Sequence, residues 1–96
     1  MSKLEINFQE QKLPIIKQIV SVLGGKTRIE ILQLINQGKD YTTTKLAKKI
    51  GCTVGNLTQQ INKLERAGLV LRKTGKTVGT HTKIIKPVYD KIEIIF

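Results

Sequence analysis

Four side chains that can hydrogen-bond to the edges of base pairs recur within one short segment, residues 53–70. They are Asn56, Thr58, Gln59 and Asn62. At about 100° per residue, helical geometry places them on or beside the face opposite an apolar stripe of Leu57, Ile61 and Leu64. Asparagine and glutamine can pair with an adenine edge in the major groove, and threonine can contact several bases. The spacing therefore predicts a helix that reads the sequence of duplex DNA.

The surrounding segment carries the cations that contact with a phosphate backbone requires. Between residues 41 and 89 there are ten basic residues and one acidic residue, Glu65. Lysine and arginine neutralise phosphates and release counterions, so a polyanion is the expected partner. We predict backbone contacts from one threonine and nine cations: Thr53, Lys45, Lys48, Lys49, Lys63, Arg66, Arg72, Lys73, Lys76 and Lys83.

Two other interpretations of this polar helix compete with DNA binding. In the first, the polar face only meets water, but such faces usually mix acids with bases, and here Glu65 is the one acid. In the second, an anionic membrane surface attracts the bases, but the helix lacks the bulky apolar face with aromatic anchors that interfacial helices use. The sequence therefore favours nucleic acid.

The elements that position these residues begin with two short helices predicted within residues 42–66. Residues 45–50 form the first, Gly51 ends it, and Thr53 caps the second, residues 54–66. A short helix, a tight turn and a second helix with a polar outer face make a helix-turn-helix unit. We expect the second helix to enter the major groove.

A basic β-hairpin is predicted directly after these helices, over residues 69–88. Residues 69–73 have the composition of a strand, residues 75–79 are expected to form a glycine-bounded loop, and the returning strand covers 80–88. A hairpin in this position is a wing. Its segment 72–83 is expected to lie on the DNA backbone or in the minor groove.

Upstream, residues 11–23 form a predicted helix with two adjacent apolar stripes. Two stripes cover more of a helix than one packing contact needs. The second stripe consists of Ile15, Ile19 and Val22. We predict that it contacts a second copy of the chain, which makes residues 11–23 a dimerisation helix. The alternative is that the chain termini fold over it.

A structural helix is predicted to follow, beginning at Thr27. Thr27 and Glu30 have the spacing of a capping box, in which the hydroxyl and the carboxylate satisfy free backbone amides. Its apolar residues Ile29, Leu32 and Ile35 are expected to face the core, with Ile31 and Leu34 widening the stripe.

The two ends of the chain nearly repeat one another. Residues 3–8 read Lys-Leu-Glu-Ile-Asn-Phe and residues 91–96 read Lys-Ile-Glu-Ile-Ile-Phe. Chance is the simple explanation over six residues. The sharper hypothesis is that both are edge strands that pair with the wing sheet or across a dimer.

Several short segments match positions of a known protein family. They are Thr27-Arg28-Ile29-Glu30-Ile31-Leu32, Lys45-Leu46-Ala47, Ile50-Gly51, Leu57-Thr58 with Ile61 and Leu64, and Ala67-Gly68-Leu69-Val70. On these residues the chain, over roughly 11–88, resembles the ArsR-type (ArsR/MarR-like) winged helix-turn-helix regulators. The resemblance implies a mainly α (α+β) fold, with a three- to four-helix core, a β-hairpin wing and room for short terminal strands. It also implies a homodimeric transcriptional regulator that binds an inverted repeat.

The resemblance does not extend to metal sensing. Metal-sensing members carry a Cys-x-Cys pair at the start of the first helix-turn-helix helix, where this chain has Thr42 and Thr44. Cys52 and His81 are single and distant, and one thiol with one imidazole does not make a metal site. We therefore expect no metal and no cofactor.

The whole chain, residues 1–96, is expected to form one domain. No apolar run approaches the length of a membrane span, and one cysteine suits a reducing cytoplasm. An enzyme is not expected, because clustered carboxylates, a triad and a phosphate-binding loop are all missing from the sequence. The predicted function is a sequence-specific, double-stranded DNA-binding transcriptional regulator. The alternatives are a non-specific architectural DNA-binding protein and a protein-interaction winged helix in a larger nucleic-acid assembly.

Overall fold

The computed structural model describes residues 3–77 and 80–95, without the side chains of residues 75–77 and 80–82. These residues form four helices and five strands. In chain order they are β1 (Lys3–Asn7), α1 (Leu13–Leu23), α2 (Lys26–Ile35), β2 (Tyr41–Thr42), α3 (Thr43–Ile50), α4 (Val54–Arg66), β3 (Val70–Thr77), β4 (Thr80–Pro87) and β5 (Lys91–Ile95). The helices with their β-hairpin form the winged helix-turn-helix fold that the sequence predicts.

The main core lies between α2, α3, α4 and the base of the hairpin. Its buried residues are Ile31, Ile35, Leu46, Ala47, Leu57, Ile61, Leu64, Leu69, Val70 and Ile85. The three apolar residues predicted to line α4 are all within this set, each fully buried. Burial of one such side chain stabilises the fold by about 1.5–3 kcal/mol, so the core fixes which face of α4 points outward. In α2 the expected inward residue Ile29 is exposed, whereas Ile31, which was expected to widen the stripe, is fully buried.

Helix α3 and its turn into α4 are held by three local features, of which the sequence predicts the last two. The Thr42 hydroxyl accepts a hydrogen bond from the Lys45 amide. Gly51 ends α3 with a φ of 88°, the left-handed region that glycine occupies without steric cost. The Thr53 hydroxyl accepts from the Asn56 amide at 3.1 Å, as its predicted capping role requires. Helix α4 therefore begins and ends at the predicted residues.

Replacing Thr53 with alanine is expected to lower the free energy of unfolding by about 1 kcal/mol, because the amide at the start of α4 loses its acceptor. Urea unfolding followed by circular dichroism measures this change. The matched control is Thr44→Ala, an exposed threonine in α3, which should leave stability unchanged or slightly higher through helix propensity. Equal losses in both variants would contradict a capping role for Thr53.

The first strand of the wing is longer than predicted. Strands β3 and β4 pair antiparallel without interruption from Val70 opposite Pro87 to Thr77 opposite Thr80. The predicted loop over 75–79 is therefore wrong, since residues 75–77 belong to β3. Backbone groups make this pairing, so glycine and lysine there do not prevent it. On its other side β4 pairs with β2, which makes it the central strand of the sheet.

The chain ends form a separate two-stranded sheet. Strands β1 and β5 run parallel and in register, so that Lys3 pairs with Lys91, Glu5 with Glu93 and so on along the near repeat. The hypothesis that these strands pair with the wing sheet is therefore wrong, and pairing across a dimer stays a prediction. Their similar sequences place like residues side by side, and Lys3 crosses to Glu93 at 3.5 Å.

Helix α1 packs differently from the prediction. Ile16 and Ile19 are buried against Ile6 of β1, so the terminal strands cover this helix, which is the alternative that the sequence left open. Of the three residues predicted to contact a second copy, Ile19 therefore lies inside the chain. Val22 packs on the main core, and Ile15 remains exposed.

A different flank of α1 presents apolar side chains to solvent. Leu13 and Val20 lie seven residues apart, on one face of the helix, and both are exposed. They flank the buried pair on the side away from Val22. No helix among the described residues combines the length and the apolar character that a membrane crossing requires.

Helix α2 begins earlier than predicted, because its N-cap is Gly25 and makes no side-chain hydrogen bond. The capping box of Thr27 and Glu30 is therefore wrong. The reason is the position of Arg28, whose guanidinium lies over the glycine; a Cβ on Gly25 would stand 2.4 Å from Arg28 Cζ. The absence of a side chain at the N-cap leaves the space that this arginine occupies.

Candidate nucleic-acid interface

The face of α4 opposite the core is polar and open, as predicted. Asn56 and Gln59 are exposed, whereas Thr58 and Asn62 are half-buried at its borders. The Thr58 hydroxyl donates to the Val54 carbonyl at 2.8 Å, so toward DNA it offers its acceptor lone pairs. All four predicted base-reading residues thus lie on or beside one surface. Their side chains are not equally free.

Asn62 is held from the side of the wing. Arg72 of β3 donates from Nη2 to Asn62 Oδ1 at 2.8 Å and from Nη1 to Glu65 Oε1 at 2.7 Å. The structure therefore gives Arg72 a different position from the predicted one: its guanidinium lies against α4, with the side chain 21% exposed, instead of projecting toward a phosphate. These two charge-assisted hydrogen bonds attach the first strand of the wing, β3, to α4.

A second arginine holds α4 from its other flank. Arg28 Nη1 donates to Gln60 Oε1 at 2.7 Å, and Gln60 Nε2 donates to Asn56 Oδ1 at 3.4 Å. Arg28 is itself fixed by the Val22 carbonyl, which accepts from its Nε at 2.6 Å.

The sequence prediction missed both Arg28 and Gln60. One signal was available, because the helical positions place Gln60 at the edge of the core stripe, and a polar side chain there needs a partner. The identity of that partner depends on how α2 packs on α4.

Seven of the predicted backbone-contacting cations are exposed. They are Lys45, Lys48, Lys49, Lys63, Arg66, Lys73 and Lys83. Within the described part of the chain, none of the seven forms an ion pair with an acid. Thr53 is exposed with its hydroxyl engaged in the cap, and the side chain of Lys76 lies outside the described residues. The positive charge around α4 is therefore available to an external anion.

Part of this charge borders a hollow between the end of α1 and the end of α4. The hollow has a volume of about 260 Å³ and is lined by Gln18, Ser21, Val22, Arg28, Lys63 and Arg66. Its two exposed cations lie in the last turn of α4. This is a position in which one phosphate of a duplex lying along α4 could be held.

In residues 3–77 and 80–95, no three histidine, cysteine, aspartate or glutamate side chains are grouped to hold a metal ion.

Comparison with known proteins places these features in a family context. Residues 26–77, from α2 to the end of β3, match the model of the MarR family. A homodimeric winged helix-turn-helix DNA-binding domain from Mycobacterium bovis, a possible ArsR-family transcriptional regulator, has a similar structure. It superposes with a TM-score of 0.67 at 20% identity, over 78% of this chain and 65% of that one. The chain therefore spans less than two thirds of the length of that protein.

Two further structures share the fold. Reduced HlyU from Vibrio cholerae matches with a TM-score of 0.66 and 16% identity, over 77% of this chain and 73% of that one. Rv0081 from M. tuberculosis matches with a TM-score of 0.66 and 26% identity, over 81% and 75%. No curated protein is significantly similar in sequence to the chain.

Proposed function

The chain belongs to the MarR family, a family of winged-helix DNA-binding transcription regulators, and we propose that it is a sequence-specific regulator of this kind. In the proposal its homodimer reads an inverted repeat, with α4 in the major groove and wing residues 72–83 on the backbone or in the minor groove. The observation that carries the proposal is the open polar face of α4, together with the seven exposed cations that make no ion pair among the described residues.

The proposed roles follow from this surface. Asn56, Thr58, Gln59 and Asn62 contact bases, and the exposed cations of α3, α4 and the wing contact phosphates. Residues 42–66 act as the helix-turn-helix and residues 69–88 as the wing of a single domain, which works in the cytoplasm without metal or cofactor.

Dimerisation is part of the proposal because an inverted repeat has two half-sites about one helical turn apart. The similar domain from M. bovis is homodimeric, and α1 of this chain offers exposed apolar residues in Leu13 and Val20. We therefore assign the contact between copies to α1, within the predicted dimerisation helix of residues 11–23, with these two side chains in place of Ile15, Ile19 and Val22.

A selection of bound sites from random duplexes tests the proposal, with the selected site then compared with unrelated DNA at several salt concentrations. We expect an enriched inverted repeat. Replacing Gln59 with alanine should weaken binding to that site by about tenfold and leave unrelated DNA nearly unaffected, because an amide contact to a base edge is lost. The matched control is Lys73→Ala, an exposed wing cation, which should weaken all duplexes alike and lower the salt slope by about one unit.

The seven unpaired cations also favour a second candidate, an architectural protein that binds duplex without sequence preference. It predicts a steep salt dependence, no enriched site and equal effects of Gln59→Ala on every duplex. A protein-interaction winged helix predicts weak DNA binding even at low salt. Each of these outcomes would contradict the proposal that the chain is a sequence-specific regulator.

A further inference from the structure

We infer that Arg72 and Arg28 determine which bases α4 reads, by holding the amide oxygens of Asn62 and Asn56 so that their Nδ2 groups face the groove as donors. The inference rests on the proposed function, since it concerns the same DNA-reading surface. It replaces the adenine pairing expected from the residue types with a preference for acceptor-bearing base edges.

The orientation of Asn62 follows from the chemistry of its partner. A guanidinium has donors and no acceptor, so the Asn62 atom 2.8 Å from Arg72 Nη2 is the amide oxygen. Arg72 cannot turn away freely, because Glu65 accepts from its other terminal nitrogen at 2.7 Å. The Nδ2 group makes no hydrogen bond within the described residues, where no buried side-chain nitrogen or oxygen lacks a partner. It is therefore an accessible donor.

The same polarity is imposed on Asn56 from the opposite flank, through one intermediate. Arg28 donates to the Gln60 oxygen, so Gln60 presents its nitrogen to Asn56, and the Asn56 oxygen accepts. The starting guanidinium is fixed by two backbone carbonyls, those of Val22 and Ser21. Each of the two asparagines is thus held by an arginine, Asn62 directly and Asn56 through Gln60. In both, the Nδ2 group is left as a donor.

This arrangement changes what the helix can recognise. Adenine offers an acceptor and an amino donor, and an asparagine reads it with both atoms of a free amide. At Asn62 the oxygen is directed to the flank, and the adjacent guanidinium charge repels a second donor such as an amino group. The N7 atom of either purine, guanine O6 and thymine O4 are acceptors that the remaining Nδ2 group can use. Gln59, which has no such anchor among the described residues, keeps both amide atoms for a base.

Site selection with three proteins tests this inference, namely the full chain, Asn62→Asp and Arg72→Met. The base pair opposite Asn62 is the one at which Asn62→Ala loses its preference. Because every base pair holds one amino-bearing base, cytosine or adenine, the decisive comparison is the selected duplex with and without that amino group at this pair. With the full chain, removal of the amino group should leave the affinity unchanged, since only acceptors are contacted. In Asn62→Asp, Arg72 still holds one oxygen and the second carboxylate oxygen faces the groove, so removal of the amino group should weaken binding by about tenfold, the worth of one good base contact.

Arg72→Met keeps the aliphatic stem and frees the amide, so binding should become dependent on the amino group of adenine when an A·T pair stands at the same position. Gln59→Glu is the matched control for adding a carboxylate to this face, and it should alter a different base pair. Melting followed by circular dichroism checks that each variant is folded; the surface substitution Asn62→Asp keeps the test decisive where Arg72→Met is unstable.

The outcomes separate the inference from the function on which it rests. Weaker binding of the full chain to the duplex without the amino group, or equal binding of Asn62→Asp to the two duplexes, would overturn the inference while the regulator stands. A selection that enriches no sequence with the full chain would overturn both.

Discussion

Replacing Leu13 and Val20 together with glutamate is expected to yield a monomer and to weaken binding to an inverted-repeat duplex by about 100-fold or more. These side chains are 66% and 47% exposed, an unusual state for two apolar residues two turns apart on one helix face. Charges there would have to be desolvated in a contact between copies, which is strongly unfavourable. Once the copies separate, each half-site is bound independently and the gain from linkage is lost. Light scattering measures the mass, and a gel-shift titration measures the affinity.

The matched control is Ile15→Glu, which adds one charge at a 46% exposed isoleucine on the other flank of α1. That flank faces the end of α4, where Gln18 donates to the Arg66 carbonyl at 3.4 Å. We expect this variant to remain a dimer. A monomer from Ile15→Glu and a dimer from the double variant would move the contact to the stripe that the sequence predicted.

The different outcomes for α1 and α4 show where a sequence determines structure by itself. Helix α4 was predicted to the residue because its signals are local: a capping threonine, Thr53, and an apolar stripe at helical spacing. The burial of Ile16 and Ile19 in α1 depends instead on Ile6 and Ile92, which come from the two ends of the chain. No pattern within residues 11–23 carries that information.

The candidate site divides in the same way. The outward direction of Asn56 and Gln59 follows from the helical positions of the buried stripe, so the sequence predicts it. The anchoring of Asn62 requires Arg72 to lie across from α4, which follows from how the wing leaves the helix. Helical spacing can therefore identify the reading face, but the donor or acceptor character of its amides is fixed by partners on other elements.

The capping error at the start of α2 has a related cause. Thr27 and Glu30 fit a local rule, although a glycine such as Gly25 is about as good an N-cap as threonine. The helix starts earlier because Arg28 is drawn over Gly25 toward the Val22 carbonyl and Gln60. A contact between elements overrides the local preference here. That contact is also the one that orients Gln60 beside Asn56.

The near repeat at the chain ends gives a sharp test of tertiary burial, because paired positions with the same residue have different surroundings. Ile6 and Ile94 are partners in the parallel register of β1 and β5. Ile6 is 0% exposed and packs with Ile16 and Ile19, whereas Ile94 is 48% exposed. Sequence alone therefore does not distinguish the two isoleucines, and their energetic roles should differ widely.

Replacing Ile6 with alanine is expected to lower the free energy of unfolding by about 2–5 kcal/mol, because it leaves a cavity between β1 and α1. The same change at Ile94 removes solvent-exposed surface and should cost well under half as much. Urea unfolding of both variants gives the comparison. Equal losses at the two positions would mean that the strands are stabilised by their mutual pairing and not by packing on α1. A large loss confined to Ile6 would make the terminal ribbon a structural cover for the proposed dimerisation helix, with Leu13 and Val20 left facing outward.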